Sequence, residues 1–507
     1  MFSSVLSLCF CWFCYLLLFL GAGVLLVFLL YCGYVQYIHM KYDHIPGPPR
    51  DSFIFGHSAS INVTETHKVS HDVFLQWAEE YGPVYRINIL HYVMIYSTDP
   101  ESVKEYLMSP DYPKDPNTYN RLFYLFGKRF LGKGLLTDPD HEHWYKQRRI
   151  MNPAFSHTYL MEMVGVFNEK AEQLMEQLEE KADGKQQVSM HALINCVTLD
   201  VILKVAFGME LGLVEGSKTP FPDAISTVLK GMIHYLQNPI MQFMPQHWAY
   251  VKKVQNSADL LRKVGQECIM KRKQAMLNGE ELPKDILTKI LQVAEQEEGL
   301  DDELMLDNFI TFFIAGQETT ANQLSFTVME LTRQPEIIQR LREEIDDIIG
   351  FKREISFEDI SNLSYTTQVL KESLRLYPPG PGTSRYIKND AEIAGIRIPG
   401  GVPIVFNTYV MGRMEKFFPN PFTFDPERFN PSAAKPYYCY FPFALGPRSC
   451  LGQVFAQLEA KVVLSKLLQR FEFKLVDGQS FEIMDTGTLR PRDGVVCTLT
   501  PRKIASK

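Results

Sequence analysis

The sequence predicts a mainly α-helical globular domain with small β-sheets, preceded by one N-terminal transmembrane helix. Three observations carry that expectation. Val5 to Tyr34 is almost unbroken apolar sequence, with no charged side chain before Lys41, and it exceeds the ~20 residues that span a bilayer. Helical periodicity dominates the remainder, with only short alternating stretches between. From about Asp302 to Arg333 there is no proline, and Gly316 is the sole glycine, which gives a single helix of roughly 45–50 Å.

The elements follow in order. The apolar N-terminus (residues 1–36) lacks a basic flank and a small-residue cleavage site, and its run is too long for a signal peptide, so it reads as a retained anchor. Lys41 and Arg50 follow the span and none precedes it, which places the bulk of the chain on the cytoplasmic side. Residues 37–50, basic and proline-rich, contain Ile45-Pro46-Gly47-Pro48-Pro49 and read as a stiff, extended hinge. Residues 51–507 read as one domain. Val84–Ile89 and Val93–Ser97 form a strand pair. Val73–Tyr81, His143–Asn152, Leu160–Lys181 and Ala258–Leu277 carry helical patterns. Glu295–Glu303 is an acidic, solvated loop. Within the long helix, Phe309–Ala315 is apolar nearly all round and should be buried. Asp390–Tyr409 reads as a hairpin around Pro399-Gly400-Gly401, and the C-terminus ends in strands at Phe471–Val476 and Val495–Leu499.

Composition narrows the function classes. With 507 residues, 46% hydrophobic and 22% charged, the chain can bury a large core and leaves little room for disorder. A net charge of −7 gives no basic footprint for nucleic acid. Four of the nine cysteines sit in the apolar N-terminus and the others are scattered, which suits a reducing compartment. On the cytoplasmic topology the glycosylation patterns Asn62-Val63-Thr64 and Asn362-Leu363-Ser364 are not used.

Chemistry concentrates in Phe443-Ala444-Leu445-Gly446-Pro447-Arg448-Ser449-Cys450-Leu451-Gly452, ahead of a helical stretch from Gln453. A helix start favours an anion on its capping side and lowers a thiol's pKa, and thiolate is the form that binds iron. Gly446 and Gly452 allow tight turning and close approach to a flat cofactor. Phe443 can shield the sulfur, and Arg448 can pair with an anionic edge. Three further groupings stand out. Ala315-Gly316-Gln317-Glu318-Thr319 sets an acid–hydroxyl pair in the long helix, where Thr319 can bond a carbonyl one turn back. Glu372 and Arg375 share a helix face among apolar neighbours, with Pro378-Pro379 ending the helix. Trp144 and Arg148 lie four apart on one helix face.

The Cys450 stretch completes the pattern F-x-x-G-x-R-x-C-x-G and resembles the haem-binding loop of the cytochrome P450 family; the likeness runs from the anchor to the last strand. The resemblance implies the cytochrome P450 fold and haem b with Cys450 as axial thiolate ligand to the iron. It implies that Trp144, Arg148, Arg385 and Arg448 reach the haem propionates, and that Ala315 and Gly316 leave room for dioxygen. Thr319 with Glu318 would deliver protons, and Glu372, Arg375 and Arg428 would form a structural brace. The dinucleotide fingerprint G-x-G-x-x-G is missing, so electrons should come from NADPH through a cytochrome P450 reductase. Lys146 and Arg149 are candidate contacts for that partner. The resemblance further implies an endoplasmic reticulum membrane location and a monomer.

Within the family the chain looks closest to the branch that hydroxylates the cholesterol side chain at carbon 24. The likeness is carried by stretches including Lys41–Pro49, Asp307–Ala321, Gln368–Pro379 and Thr408–Met414. Where that branch has a tryptophan and a phenylalanine after Pro379, this chain has Pro381 and Ser384, which reshapes the pocket. The aromatic run Tyr119, Leu122, Phe123, Phe126, Phe130 and the Met-rich stretch from Met232 to Trp248 read more often as core than as pocket, but the resemblance implies that they frame the substrate channel, where such residues suit an adaptable lipid site. The expected activity is monooxygenation of a sterol, or else of another steroid, fatty acid or xenobiotic lipid. A haem-thiolate isomerase or lyase and a non-catalytic haem lipid-binding protein remain alternatives.

Overall fold

The computed structural model describes residues 2–61, 69–296, 301–434 and 436–503. The Asn62 glycosylation pattern and the middle of the acidic stretch after Glu295 therefore lie outside the described residues. Helix α1 (Phe2–Tyr42) is long and apolar enough from Trp12 onward to cross a membrane, and that part is uncovered by the rest of the chain. Its last turns are covered: Val35, His39 and Tyr42 are buried.

The boundary expected near residue 36 therefore falls inside a helix, and the segment expected as a stiff, extended hinge is docked against the domain. Ile45 is 1% exposed, within an apolar cluster with Val84, Ile95 and Ile404. Arg86 N–H donates to Pro46 O (2.8 Å), and His57 Nε2 lies 3.0 Å from Pro48 O. A Cβ at Gly47 would come within 2.6 Å of Arg86 O, so glycine permits the close approach. Apolar burial and satisfied backbone groups hold the segment down despite its stiffness.

Strands β1 (Val84–Ile89), β2 (Tyr92–Ser97), β3 (Gly382–Ile387) and β4 (Val402–Asn407) form one sheet in the order β1-β2-β4-β3. Only the β2–β4 pairing is parallel. Between β3 and β4 the tight turn falls at Ala394-Gly395, inside a small hairpin of 391–393 with 396–398. It is not at Pro399-Gly400-Gly401, as the sequence had suggested. Ala394 and Gly395 both have positive φ (50° and 78°), which suits a two-residue turn, while Pro399-Gly400-Gly401 leads into β4.

The helical layer contains α2 (His141–Met151), α3 (Met190–Phe207), α4 (Phe221–Gln237), α5 (Trp248–Leu277), α6 (Asp302–Leu331), α7 (Ser364–Leu376) and α8 (Gln453–Arg470). The helix expected over Leu160–Lys181 is divided into His157–Met161 and Val164–Glu179, with Gly165, a poor helix former, beside the break. The helix expected from Ala258 already begins at Trp248.

The long helix α6 is the axis of the core. Asp301 caps it by accepting from Leu304 N–H (2.7 Å), satisfying one of the free first-turn donors. Most of its residues are buried on both sides of the central segment 314–319. Helix α3 packs along it, with the Phe207 and Phe309 rings 3.9 Å apart, and most of α3 is buried. C-terminal strands β5 (Phe471–Leu475), β6 (Ile483–Asp485), β7 (Leu489–Pro491) and β8 (Val496–Pro501) complete the fold. β5 pairs with β8 and β6 with β7, both antiparallel.

Candidate functional site

A cavity of about 340 Å³ lies between the centre of α6 and the loop that precedes α8. Trp144, Arg148, Ala315, Gly316, Thr319, Phe443, Arg448 and Cys450 line it. Residues from three distant parts of the sequence are thereby brought around one cavity. Glu318 and Arg385 do not line it, and the Glu372–Arg375–Arg428 group lies behind the loop.

The cysteine loop is shaped by its backbone. Cys450 N–H donates to Phe443 O (2.8 Å), and Gly446 has φ +68°. A Cβ there would come within 2.2 Å of Leu107 O. Gly446 is therefore required by the neighbouring chain at Leu107–Met108, a reason different from the cofactor approach expected of it. Cys450 is the one cysteine on the cavity wall among the described residues, and its side chain is exposed to the cavity interior. Burial pushes its thiol pKa up, with the Gly452 backbone N–H and Arg148 pulling the other way. In the protein alone, removal from water thus outweighs the helix-start effect that was expected to lower it.

Cations gather beside the cysteine, and among the described residues none of Lys114, Arg385 and Arg448 forms an ion pair, Asp138 being the acid whose charge reaches Arg448. Arg448 Nη1 donates to Asp138 O (2.7 Å), and its guanidinium stands 4.0 Å from the Trp144 ring centre. Arg448 Nη2 is buried without a partner. Arg385 donates through Nη1 to Ser384 O (2.9 Å), leaving Nε and Nη2 buried and unpartnered. Lys114, 6% exposed, donates to Leu136 O (2.7 Å) and lies over the Tyr119 ring. Burial first, then the charges of Arg385 and Arg448, drives the Lys114 pKa well down. Burial also brings Arg448 down to about 10. Buried cations with orphaned donors and no ion-pair partner are costly unless an anion completes them. The donor set suits a ligand with an anionic edge, as a haem has in its propionates. Arg148 differs, because it is engaged with Ser449 O (2.8 Å) and Asn152 Oδ1 (2.8 Å) and secures the cysteine loop.

Across the cavity, Thr319 Oγ1 donates to Ala315 O one turn back (2.8 Å). Ala315 is exposed to the open space. Gly316 also borders the cavity, but its missing side chain would point at α3: a Cβ would lie 2.6 Å from Ile202 Cδ1. Helix packing is thus a reason for this glycine that the sequence did not disclose. The Glu318 side chain faces Thr488 and Arg490. Burial raises its pKa to about 7, opposed by Thr488, Arg490 and Lys230.

The brace is a buried group. Arg375 donates to both oxygens of Glu372 (2.7 Å each) and to the carbonyls of Gly412, Pro421 and Thr423. Arg428 Nε stands 3.5 Å from Glu372 Oε1. Both Glu372 and Arg375 side chains are fully buried.

Several readings of the substrate walls need correction. Of the aromatic run only Tyr119 lines the cavity; Leu122, Phe126 and Phe130 are core residues. None of Met232 to Trp248 lines it; Met232 and Leu236 pack on the core, while Phe243 and Trp248 are exposed. Pro381 and Ser384 also lie off the wall, which Gly380, Gly382 and Thr383 supply instead. Sequence reading missed Lys114, although its setting Tyr112-Pro113-Lys114-Asp115-Pro116 is a stiff context for a cation. It also missed Glu459, a fully buried acid on the apolar face of α8. Thr320 is its nearest polar neighbour, short of good hydrogen-bond geometry.

Fold and site together define a mainly helical protein with a cysteine-floored apolar cavity under a long distal helix. The sequence model of the cytochrome P450 family matches residues 46–502. Cytochrome P450 4d2 of Drosophila melanogaster is 31% identical over 83% of this chain and 87% of its own length. Cytochrome P450 4B1 of Rattus norvegicus is 28% identical over 90% of each, and cytochrome P450 3A41 of Mus musculus 27% over 95% and 96%. The chain belongs to the cytochrome P450 family, and membership implies a haem iron held by a thiolate.

Proposed function

We propose that the protein is a membrane-anchored monooxygenase that hydroxylates a sterol, with the cholesterol side chain at carbon 24 as first candidate. The observation that carries the haem-thiolate reading is Cys450 on the wall of an apolar cavity beside orphaned buried cations. The net reaction converts a C–H bond, O2, two electrons and two protons into an alcohol and water. The bound haem supplies the redox and oxygen chemistry. Electrons come from NADPH through a reductase, for which exposed Lys146 is one contact. The predominantly apolar wall suits a lipid, and the stretches shared with the cholesterol-hydroxylating branch support the sterol.

The protein's own residues bind, orient and supply protons. Cys450 would hold the haem iron through its thiolate. Arg448 and Lys114 would face the anionic edge of the cofactor from the cavity wall, with Arg385 behind them, and Trp144 backs Arg448. Arg148 holds the loop through Ser449, Phe443 screens the sulfur, and the Glu372–Arg375–Arg428 group fixes the chain behind it. Ala315 keeps space open at the distal helix. Thr319 holds a hydroxyl there, and Glu318 behind it is the proton source. α1 anchors a monomer in the endoplasmic reticulum membrane with the domain in the cytoplasm.

The test is reconstitution with reductase and NADPH against a panel of sterols, steroids, fatty acids and xenobiotic lipids, with products identified by mass spectrometry. A 24-hydroxylated sterol is expected, and a hydroxylated fatty acid alone would overturn the sterol assignment. Cys450→Ser should abolish the far-shifted Soret maximum of the reduced, carbon-monoxide-treated protein. An unchanged spectrum would overturn the site itself.

A further inference from the structure

The side chains around Glu318 form a ring of polar contacts that leaves α6 and returns to it one residue further on. Gln317 Nε2 donates to Asn195 Oδ1 on α3 (2.6 Å). Asn195 Nδ2 donates to His191 O (2.8 Å) and lies against the His191 ring, 3.1 Å from Nε2 and 3.3 Å from Nδ1, and His191 Nε2 lies 3.0 Å from Asn322 Oδ1. Asn322 Nδ2 donates to Thr488 Oγ1 just before β7 (3.0 Å). Thr488 faces the carboxyl of Glu318 and favours its charged form.

Donor and acceptor roles give this ring a direction. Asn322 Oδ1 can only accept, so His191 Nε2 must carry the hydrogen. A neutral imidazole with its hydrogen on Nε2 satisfies this contact, while Asn195 Nδ2, lying against the imidazole, fixes no role for Nδ1. Burial lowers the His191 pKa, with Arg490 adding to that effect and Asn322 opposing it, in keeping with the neutral ring. Thr488 receives its hydrogen bond from Asn322, which leaves its own proton for Glu318. From His191 onward the donors point the same way, and the last aims at the acid. Beyond the ring, the charged groups facing Glu318 are Arg490 on β7 and Lys230 on α4.

We infer that Thr488, oriented by Asn322 and His191, and Arg490 are positioning residues that tune Glu318 as the proton source for the cavity. Nothing in the composition of α6 suggests this, since Asn195 and His191 come from α3 and Thr488 and Arg490 from the C-terminal hairpin. The inference rests on the proposed monooxygenase reading, in which Glu318 feeds the distal side. In that reading the ring couples proton supply to the packing of α3 and of the 483–491 hairpin against α6.

The experiment uses the haem-loaded protein and two readouts. Infrared difference spectra against Glu318→Gln, recorded over a pH series without turnover, titrate the buried carboxyl directly. The ratio of product to hydrogen peroxide over the same pH range reads proton supply. Thr488→Val removes a donor to the charged form, so the titration midpoint should rise by about one to two pH units; Thr488→Ser should restore it. Arg490→Gln should raise it by less, and His191→Gln should shift it through the loss of Thr488 alignment. The product-to-peroxide profile should move with each midpoint. If Thr488→Val and Arg490→Gln both titrate like the parent, the tuning role is wrong, whatever Glu318 does. If Glu318→Gln leaves the product-to-peroxide ratio unchanged, the proton-source reading falls, even where the carboxyl titration still moves.

Discussion

Replacing Arg375 with alanine tests whether the buried brace holds the cysteine loop in place. Its guanidinium is fully buried and makes a two-pronged contact with Glu372. It also satisfies three carbonyls in the segment 412–423, and Tyr440 at the head of the loop reaches back to Lys371 O (3.1 Å). The variant leaves three carbonyls short of a donor and a buried acid that has lost its two-pronged partner and keeps only the more distant Arg428, a change worth about 3–5 kcal/mol. For a folded domain of about 450 residues, with an unfolding entropy near 2.1 cal/mol/K per residue, that is a fall in melting temperature of roughly 3–5 °C.

The effect should also depend on pH. Burial already raises the Glu372 pKa despite Arg375, and loss of Arg375 raises it further. Below the unfolded carboxyl pKa both states hold the proton and nothing is lost. As pH rises above it, the unfolded chain ionises while the folded carboxyl stays protonated, so destabilisation grows until the folded pKa is reached. The assay is thermal inactivation of the haem-loaded protein at pH 5 and pH 7.5, with cofactor retention followed in parallel because such unfolding is governed by rates. A gap between parent and variant that widens with pH is expected. Equal stability at both values, with normal retention, would refute the brace.

Two further outcomes follow from close contacts on α6 and α8. Gly316→Ala puts a methyl 2.6 Å from Ile202 Cδ1, and should lower stability by about 1–3 kcal/mol through overpacking. In an Ile202→Ala background, which removes both that carbon and Cγ1 (2.7 Å), the added cost of Gly316→Ala should largely disappear in a melting experiment; an unchanged cost would mean that Gly316 is required for another reason. Glu459 is completely buried, and burial holds its pKa far above the usual carboxylate range. Its folded pKa exceeds the unfolded one, so the parent loses stability as pH climbs beyond the unfolded value. Glu459→Gln removes that slope. The variant should match the parent near pH 4 and exceed it increasingly by pH 8, and a constant difference in melting temperature would show that the carboxyl is already charged.

What the sequence disclosed and what it withheld separate along physical lines. α6 was readable because helix formation is local: no proline interrupts it, and an acid stands at its cap. The cysteine loop was readable because its ligand, turn residues and cationic partner lie within ten consecutive residues. The first sheet's hairpin was readable for the same reason. Lys114, by contrast, acquires meaning only beside Arg385 and Arg448, and Gly316 only against Ile202. The hinge was misjudged because proline stiffness is a local property, whereas its docking depends on Ile45 meeting strands that include β4, more than 350 residues away. Likewise the Met-rich stretch carries the composition of a lipid channel, yet tertiary packing sends part of it to the core and leaves Phe243 and Trp248 outside.

That separation bears on where substrate choice resides. Pro381 and Ser384 seemed the decisive departures from the cholesterol-hydroxylating branch, but neither lies on the cavity wall. Ser384 is 8% exposed, and its carbonyl serves Arg385. The wall at that corner is made by Gly380, Gly382 and Thr383. A Cβ at Gly382 would lie 2.8 Å from Phe406 O on β4, so its size is set by strand pairing. Gly380 has open space where a Cβ would go, so a side chain can be added there without displacing the backbone. Enlarging residue 380 is therefore the substitution that should discriminate among bulky and slender lipids, and Ser384 the one that should not.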